Sequence, residues 1–195
     1  MIAAVALEKR YGPKRVLRGV SFSVARGDTL VVTGRNGSGK STLLRLLAGL
    51  AAPSAGTIDV AVDRAQIGFL GHEPALYREL TALENLELFG RLYRVPERRE
   101  RIGMLLERFG LWDVRAERVD AYSRGMVQRL SLCRTLLHEP ALLLLDEPHT
   151  ALDAAGASLL DDELAARAGT TTLVIATHDP ARLEPVVTGR LRLDA

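Results

Sequence analysis

At 195 residues the chain is long enough for one hydrophobic core and hardly enough for two, and 47% hydrophobic residues exclude a disordered chain. A net charge of +2 lacks the concentrated basic face that nucleic acid requires, so no nucleic-acid partner is expected, and the single cysteine, Cys133, excludes an internal disulfide and suits a reducing compartment. No apolar run approaches the roughly 18–20 residues of a membrane-spanning helix, and Glu8, Lys9 and Arg10 follow the apolar opening where a secretory signal would have its charges first.

Taken in chain order, residues 1–33 read as short strands joined by turns. Val5 and Leu7 alternate with other residues, Tyr11-Gly12-Pro13-Lys14 is a turn, and Val16 to Val24 is extended. Tyr11 sits among polar turn residues, either as a platform on which a base stacks or as an ordinary half-buried tyrosine. Thr29 to Thr33 is a β-branched, apolar strand that runs into Gly34-Arg35-Asn36-Gly37-Ser38-Gly39-Lys40-Ser41, followed by Thr42 and a leucine-rich helix. That is G-x-x-x-x-G-K-[ST] between a strand and a helix, the phosphate-binding P-loop in its proper context. The glycines let the backbone approach a phosphate, the amides and the helix dipole attract it, Lys40 adds a full charge, and the Ser41 hydroxyl is placed to bind magnesium. Lysine occurs only at positions 9, 14 and 40 in a chain with 26 lysines and arginines, so the lysine at 40 looks selected for its chemistry.

Beyond the P-loop helix, Thr57 to Val62 and Gln66 to Leu70 are strand-like, and Gly71-His72-Glu73-Pro74 follows as a loop. Thr81-Ala82-Leu83-Glu84 has capping-box spacing and opens a helix expected to reach about Tyr93. Pro96 starts another, with Ile102, Leu105, Leu106 and Phe109 on one face. The stretch 74–119 is therefore expected to be a helical subdomain inserted into an α/β core. Its arginines at 91, 94, 98, 99, 101 and 108 form either a solvated face or a docking surface for an acidic partner or a membrane leaflet. Tyr122-Ser123-Arg124-Gly125-Met126 then opens a helix over 123–138, and a serine with free amides at a helix start can hold an anion.

Leu142 to Leu145 is a continuous aliphatic run, which implies a strand buried on both faces of a parallel sheet. It ends in Asp146-Glu147-Pro148. Strand alternation would send the two carboxylates in opposite directions, Asp146 toward magnesium and Glu147 toward an attacking water as general base. Thr171 to Ala176 is a second buried strand, ending in Thr177-His178-Asp179, where the histidine could contact a terminal phosphate. His138 and His149 read as structural or loop residues.

The P-loop, Ser-Arg-Gly-Met before a helix, Leu-Leu-Leu-Leu-Asp-Glu-Pro, Ala151-Leu152-Asp153 and Thr-His-Asp, in this order, resemble the ATP-binding cassette of ABC transporters across essentially the whole chain. The resemblance implies a single α/β P-loop NTPase domain over residues 1–195, with a parallel-sheet core, an antiparallel β subdomain and the inserted helical subdomain. It implies ATP and Mg²⁺ as ligands, a transmembrane permease subunit as partner, and a head-to-tail homodimer that sandwiches ATP. The chain is then expected at the cytoplasmic face of the cell membrane, held peripherally.

By position, Tyr11 looks like the adenine-stacking residue, Gly34 to Thr42 like the phosphate-binding loop, Asp146 like the magnesium carboxylate and Glu147 like the catalytic base. Ala151-Leu152-Asp153 resembles the loop that communicates across the dimer, and His178 the switch histidine. Ser123, Arg124, Gly125 and Met126 resemble the signature that caps the terminal phosphate in the opposite subunit. Two departures are visible: the signature usually reads L-S-G-G-Q, and the glutamine that usually senses magnesium and the membrane partner is here His72. Among transporters, Gly71-His72-Glu73-Pro74 followed by Leu80 to Leu86 resembles the ATPase of the cytochrome c maturation haem exporter. ATPase subunits of other bacterial exporters, for drugs, ions or lipids, are the alternative, and a soluble non-transport ABC ATPase is a third reading.

Overall fold

A computed structural model describes residues 1–194. Two sheets organise them. The first is an antiparallel three-stranded sheet in which β1 (Ile2–Tyr11) lies between β2 (Lys14–Val24) and β4 (Ala55–Val60). The opening strands are longer than expected: β1 and β2 form one hairpin of 10 and 11 residues around Gly12-Pro13. Register shifts along β1, including one between Ala4 and Leu7, bend this ribbon instead of breaking it into short strands.

The second sheet is parallel, in the order β5 (Ile67–Leu70), β6 (Leu142–Asp146), β7 (Thr172–Ala176), β3 (Thr29–Gly34) and β8 (Gly189–Leu193). Every residue of β6 and β7 is buried, as their unbroken aliphatic runs require. Alternation divides them between two cores. Leu142, Leu144, Val174 and Ala176 pack with α1 (Lys40–Leu47) and the inner face of the antiparallel sheet. Leu143, Leu145, Leu173 and Ile175 pack on the opposite side with the remaining helices.

Those helices are α2 (Ala82–Leu92), α3 (Arg98–Arg108), α4 (Arg124–Leu136) and α5 (Ala154–Arg167). The Thr81–Glu84 capping box is complete: the Thr81 hydroxyl accepts from the Glu84 amide at 3.1 Å and the Glu84 carboxylate from the Thr81 amide at 2.8 Å. In α3, Ile102, Leu105 and Leu106 are fully buried, with Phe109 just past its end. They share one core with Leu70, Leu143 and Leu145 of the parallel sheet, so the helical stretch packs directly on the sheet's second face. Of its arginines, Arg98 pairs with Glu87 at 2.8 Å, Arg101 with Glu139 at 3.2 Å and Arg108 with Glu163. Arg91, Arg94, Arg99 and Arg108 are exposed, and Arg91 Nε lies 3.6 Å from the same Glu87 carboxylate.

Two elements escaped the reading of the sequence. Helix α5 begins at Asp153, whose side chain accepts from the Gly156 amide at 2.8 Å. Strand β8 closes the parallel sheet beside β3.

Candidate functional site

Register brings three strand ends to one edge of the parallel sheet. Val32 of β3 and Asp146 of β6 both pair with Ala176 of β7, so the segments that follow β3, β6 and β7 leave the sheet side by side. This carboxyl edge is where open α/β sheets bind ligands.

After β3, the chain turns through Gly34 to Gly39 into α1. Gly34 has φ +150° and Gly39 φ +102°, both in the region that favours glycine. A Cβ on Gly34 would lie 2.5 Å from the Leu193 carbonyl oxygen, so a side chain there is also excluded by contact, and one on Gly39 would press on Leu17 Cδ2 at 2.8 Å. The first backbone bond of the helix runs from the Leu43 amide to Gly39 O at 2.8 Å, which leaves the earlier first-turn amides without intrahelical partners. Lys40 is 7% exposed, and its Nζ donates to Gly34 O at 2.9 Å, which folds the side chain back over the loop.

These residues border an open cleft of about 510 Å³ lined by Tyr11, Asn36, Gly37, Gly39, Lys40, Ser41, Thr42, His72, Asp146 and Glu147, with Lys14 and Val16 at its side. Tyr11 is half exposed at the tip of the β1–β2 hairpin, with Lys9 Nζ 4.9 Å from the centre of its ring. Arg35 is exposed and Ser38 is buried beneath the loop, and neither lines the cleft.

The two carboxylates depart from expectation. Strand β6 stops at Asp146, and Glu147 takes a left-handed backbone with φ +48°. Alternation therefore does not separate them, and both face the same cleft. Such a backbone in a residue other than glycine costs on the order of 1–3 kcal/mol. The four leucines of β6, each burying its side chain for roughly 1.5–3 kcal/mol, hold the strand in place against it. The Glu147 amide donates to Ala176 O at 2.9 Å, and its Oε2 accepts from His178 Nδ1 at 2.7 Å and from the His178 amide at 3.2 Å. Its Oε1 lies 3.8 Å from Lys40 Nζ. His178 itself stays outside the cleft lining.

Burial pushes the Asp146 carboxyl above the usual carboxylate range, against the Ser41 hydroxyl, with Glu147 raising it further and His72 and Lys40 opposing. A desolvated carboxylate beside a serine hydroxyl suits magnesium, which binds through one or two protein oxygens and otherwise through water and phosphate. Among the described residues no group of three or more His, Cys, Asp or Glu is arranged to hold a metal.

The signature residues do not join this cleft. Ser123 caps α4, its Oγ accepting from the Met126 amide at 3.2 Å. Gly125 packs so near the loop before α5 that a Cβ there would lie 3.0 Å from Ala151 O. Arg124 lines a neighbouring cavity of about 590 Å³ with Arg78, Gln128, Thr150, His72 and Glu147. His72 and Glu147 thus border both spaces. His138 is packed structurally: it stacks on Tyr93 at 4.1 Å, its Nε2 lies 3.3 Å from Ile67 O, and burial lowers its pKa. His149, read from the sequence as a structural or loop residue, lies 2.7 Å from Asp161 of the unforeseen helix α5; capping by Asp153 was the one signal for that helix.

Comparison with known proteins bears on this arrangement. The family model described as ABC transporter matches residues 17–150. A daunorubicin resistance ATP-binding protein of Streptomyces coeruleorubidus is 44% identical over 87% of this chain and 57% of its own length. The ABC transporter ATP-binding protein NatA of Bacillus subtilis is 38% identical over 82% of this chain and 71% of its own. The chain spans little more than half the length of several such relatives. Among solved structures, a dimeric ATP-binding cassette in a post-hydrolysis state with ADP and Pi superposes with a TM-score of 0.85 at 28% identity, covering 100% of this chain and 94% of that one.

Proposed function

The chain belongs to the ABC transporter family with the fold of its ATPases, and from that premise we propose that it is the ATP-binding and ATP-hydrolysing subunit of an exporter. The carrying observation is the cleft that gathers Lys40, Ser41, Asp146 and the Glu147–His178 pair at one edge of the sheet. In this reading the P-loop amides and Lys40 bind the outer phosphates. Tyr11 stacks on the adenine from the hairpin tip. Ser41 and Asp146, with His72 beside them, would hold Mg²⁺, whose chemistry there is to neutralise charge on those phosphates. Glu147 accepts a proton from the attacking water, and His178 orients its carboxylate through Oε2.

Ser123 and Gly125 lie apart from the chain's own P-loop, so they are free to meet the nucleotide of a second copy in a head-to-tail pair. No helix among the described residues is long and apolar enough to cross a membrane; a transmembrane permease subunit is the proposed partner. The helical stretch 74–119 and the neighbouring cavity of about 560 Å³, bordered by Leu50, Glu73, Tyr93 and Arg134, are the proposed docking face.

For the cargo, the 44% identity to a daunorubicin resistance protein favours efflux of drug-like molecules. The haem-export reading rests on the resemblance of Gly71 to Pro74 and Leu80 to Leu86 and draws no support from that relative. The test is co-expression with a candidate exporter permease in a drug-sensitive host deficient in cytochrome c maturation. Raised tolerance to anthracycline-type drugs is the expected outcome. Unchanged tolerance together with restored c-type cytochromes would reverse the choice. Absence of ATP-dependent phosphate release from the purified complex would remove the ATPase reading altogether.

A further inference from the structure

One carboxylate outside the cleft joins the two loops that carry Glu147 and His178. Asp161 stands on α5 and is about one-third exposed. Its Oδ1 lies 2.7 Å from His149 Nε2, two residues beyond Glu147, and its Oδ2 3.0 Å from Arg182 Nη1, four residues beyond His178. A carboxylate accepts only, so the imidazole donates through Nε2. The loop after β6 and the loop after β7 are thus tied at two levels: directly through Glu147 and His178 at 2.7 Å, and through His149, Asp161 and Arg182.

We infer that Asp161 is a positioning residue for the Glu147–His178 pair. Three observations carry this. The first loop has left-handed backbone at Glu147, φ +48°, and Ala151, φ +67°, which persists only where surrounding contacts over-determine it. That loop is also held where it runs into α5, by the Asp153 cap on the Gly156 amide at 2.8 Å, and by the bond from Gln128 Nε2 to Pro148 O at 2.9 Å; neither bond reaches the loop that carries His178. The second loop, from Thr177 to Leu183, is tied to α5 through Arg182. Asp161 is therefore the α5 side chain that is hydrogen-bonded to both loops. The bond to Arg182 joins two charged groups that are 43% and 32% exposed, so solvent screens it and it acts chiefly through its geometry.

Geometry sets the consequence. The carboxylate of Glu147 accepts from both the ring and the amide of His178, so parting the loops turns the carboxylate itself. A misplacement of about 1 Å in a reacting group costs up to about a hundredfold in rate. Asp161 touches neither the cleft lining nor the P-loop, so nucleotide affinity should not depend on it.

The inference rests on the ATPase reading for its catalytic half but not for its structural half, and the test separates the two. Hydrogen exchange of the His178 amide, which donates to Glu147 Oε2 at 3.2 Å, reports the contact without any nucleotide. Asp161→Ala and, as a milder change, Arg182→Gln are expected to speed that exchange several-fold while the β6 and β7 amides keep parental rates. Unchanged exchange at His178 in both variants overturns the inference whether or not the protein hydrolyses ATP. In the complex, Asp161→Ala should lower kcat about ten- to a hundredfold with KM for ATP held within about twofold. In a His178→Ala background the same substitution should add little further loss. Full multiplication of the two losses, or a parental kcat in Asp161→Ala, overturns it. A parent complex that releases no phosphate counts against the ATPase reading, and the exchange experiment then decides the positioning role by itself.

Discussion

Replacing Glu147 by Gln isolates one chemical property at the site. The side chain keeps its length and shape, and its amide oxygen can still accept from the His178 amide that now lies 3.2 Å from Oε2. The backbone strain is unchanged, since φ of +48° is as unfavourable for Gln as for Glu. What disappears is the basic oxygen and the negative charge 3.8 Å from Lys40 Nζ. General-base catalysis contributes about 10²–10⁴-fold, or about 2.7–5.5 kcal/mol of barrier at 1.36 kcal/mol per tenfold. Phosphate release should fall by that factor. ATP affinity should hold or rise, because Lys40 loses a competitor for its charge and the P-loop is untouched. Slow hydrolysis combined with intact binding predicts an ATP-bound dimer that outlives a size-exclusion run with ATP and Mg²⁺, where the parent runs mostly as monomer. Ser123→Arg in the same background should restore the monomer by filling the opposing phosphate site. Parental phosphate release in Glu147→Gln would remove Glu147 as the base. A variant that binds ATP, does not hydrolyse it and stays monomeric even with its permease would refute the composite site.

Lys40→Ala should lower ATP hydrolysis by about a hundredfold or more and weaken ATP binding, read by phosphate release and by titration with a fluorescent ATP analogue. Tyr11→Ala should weaken nucleotide affinity several-fold to about tenfold, from stacking worth about 0.5–1.5 kcal/mol, with kcat at saturating ATP unchanged; equal affinity would assign Tyr11 to the hairpin alone. Because burial raises the Asp146 pKa, the stability linked to that group is present below its unfolded value and lost as pH rises through the folded one. Asp146→Asn should therefore melt above the parent at neutral pH without nucleotide or metal, with the gain vanishing near pH 4, while ATP hydrolysis collapses. Arg91→Glu with Arg94→Glu, which leaves the Arg98–Glu87 pair intact, should preserve nucleotide binding and reduce recovery with the membrane fraction; parental recovery would make this a solvated face.

What could be read from the sequence follows the reach of each physical rule. The P-loop was legible because a glycine turn, a lysine and a hydroxyl act within a few residues of one another, and strand and helix on either side confirm them. The β6 and β7 strands were legible because burial on both faces demands an unbroken apolar run. Helix α2 announced itself through a capping box, which is local chemistry. Helix α5 was hidden because acidic and small residues interrupt its apolar face, and its one strong signal, Asp153 at the cap, had already been absorbed into a motif. Strand β8 was hidden because Gly-Arg-Leu-Arg-Leu is a short alternating edge strand near the end of the chain, where alternation over five residues is weak. The error over Asp146 and Glu147 has a sharper cause: alternation holds only while the strand lasts, and the strand ends between them.

The contacts that make the site are of another kind. Glu147 and His178 are 31 residues apart, and only the adjacency of β6 and β7 brings them to 2.7 Å. That adjacency is a property of strand order, which runs β5-β6-β7-β3-β8 and cannot be inferred from chain order. With β3 between β6 and β7, the P-loop would part Glu147 from His178 by a further strand, about 4.8 Å, and the pair could not form. With β7 between β6 and β3, as found, the segment that carries His178 leaves the sheet between the segments that carry Glu147 and the P-loop. The order of three strands thus decides whether the same motifs compose one site or three unrelated loops.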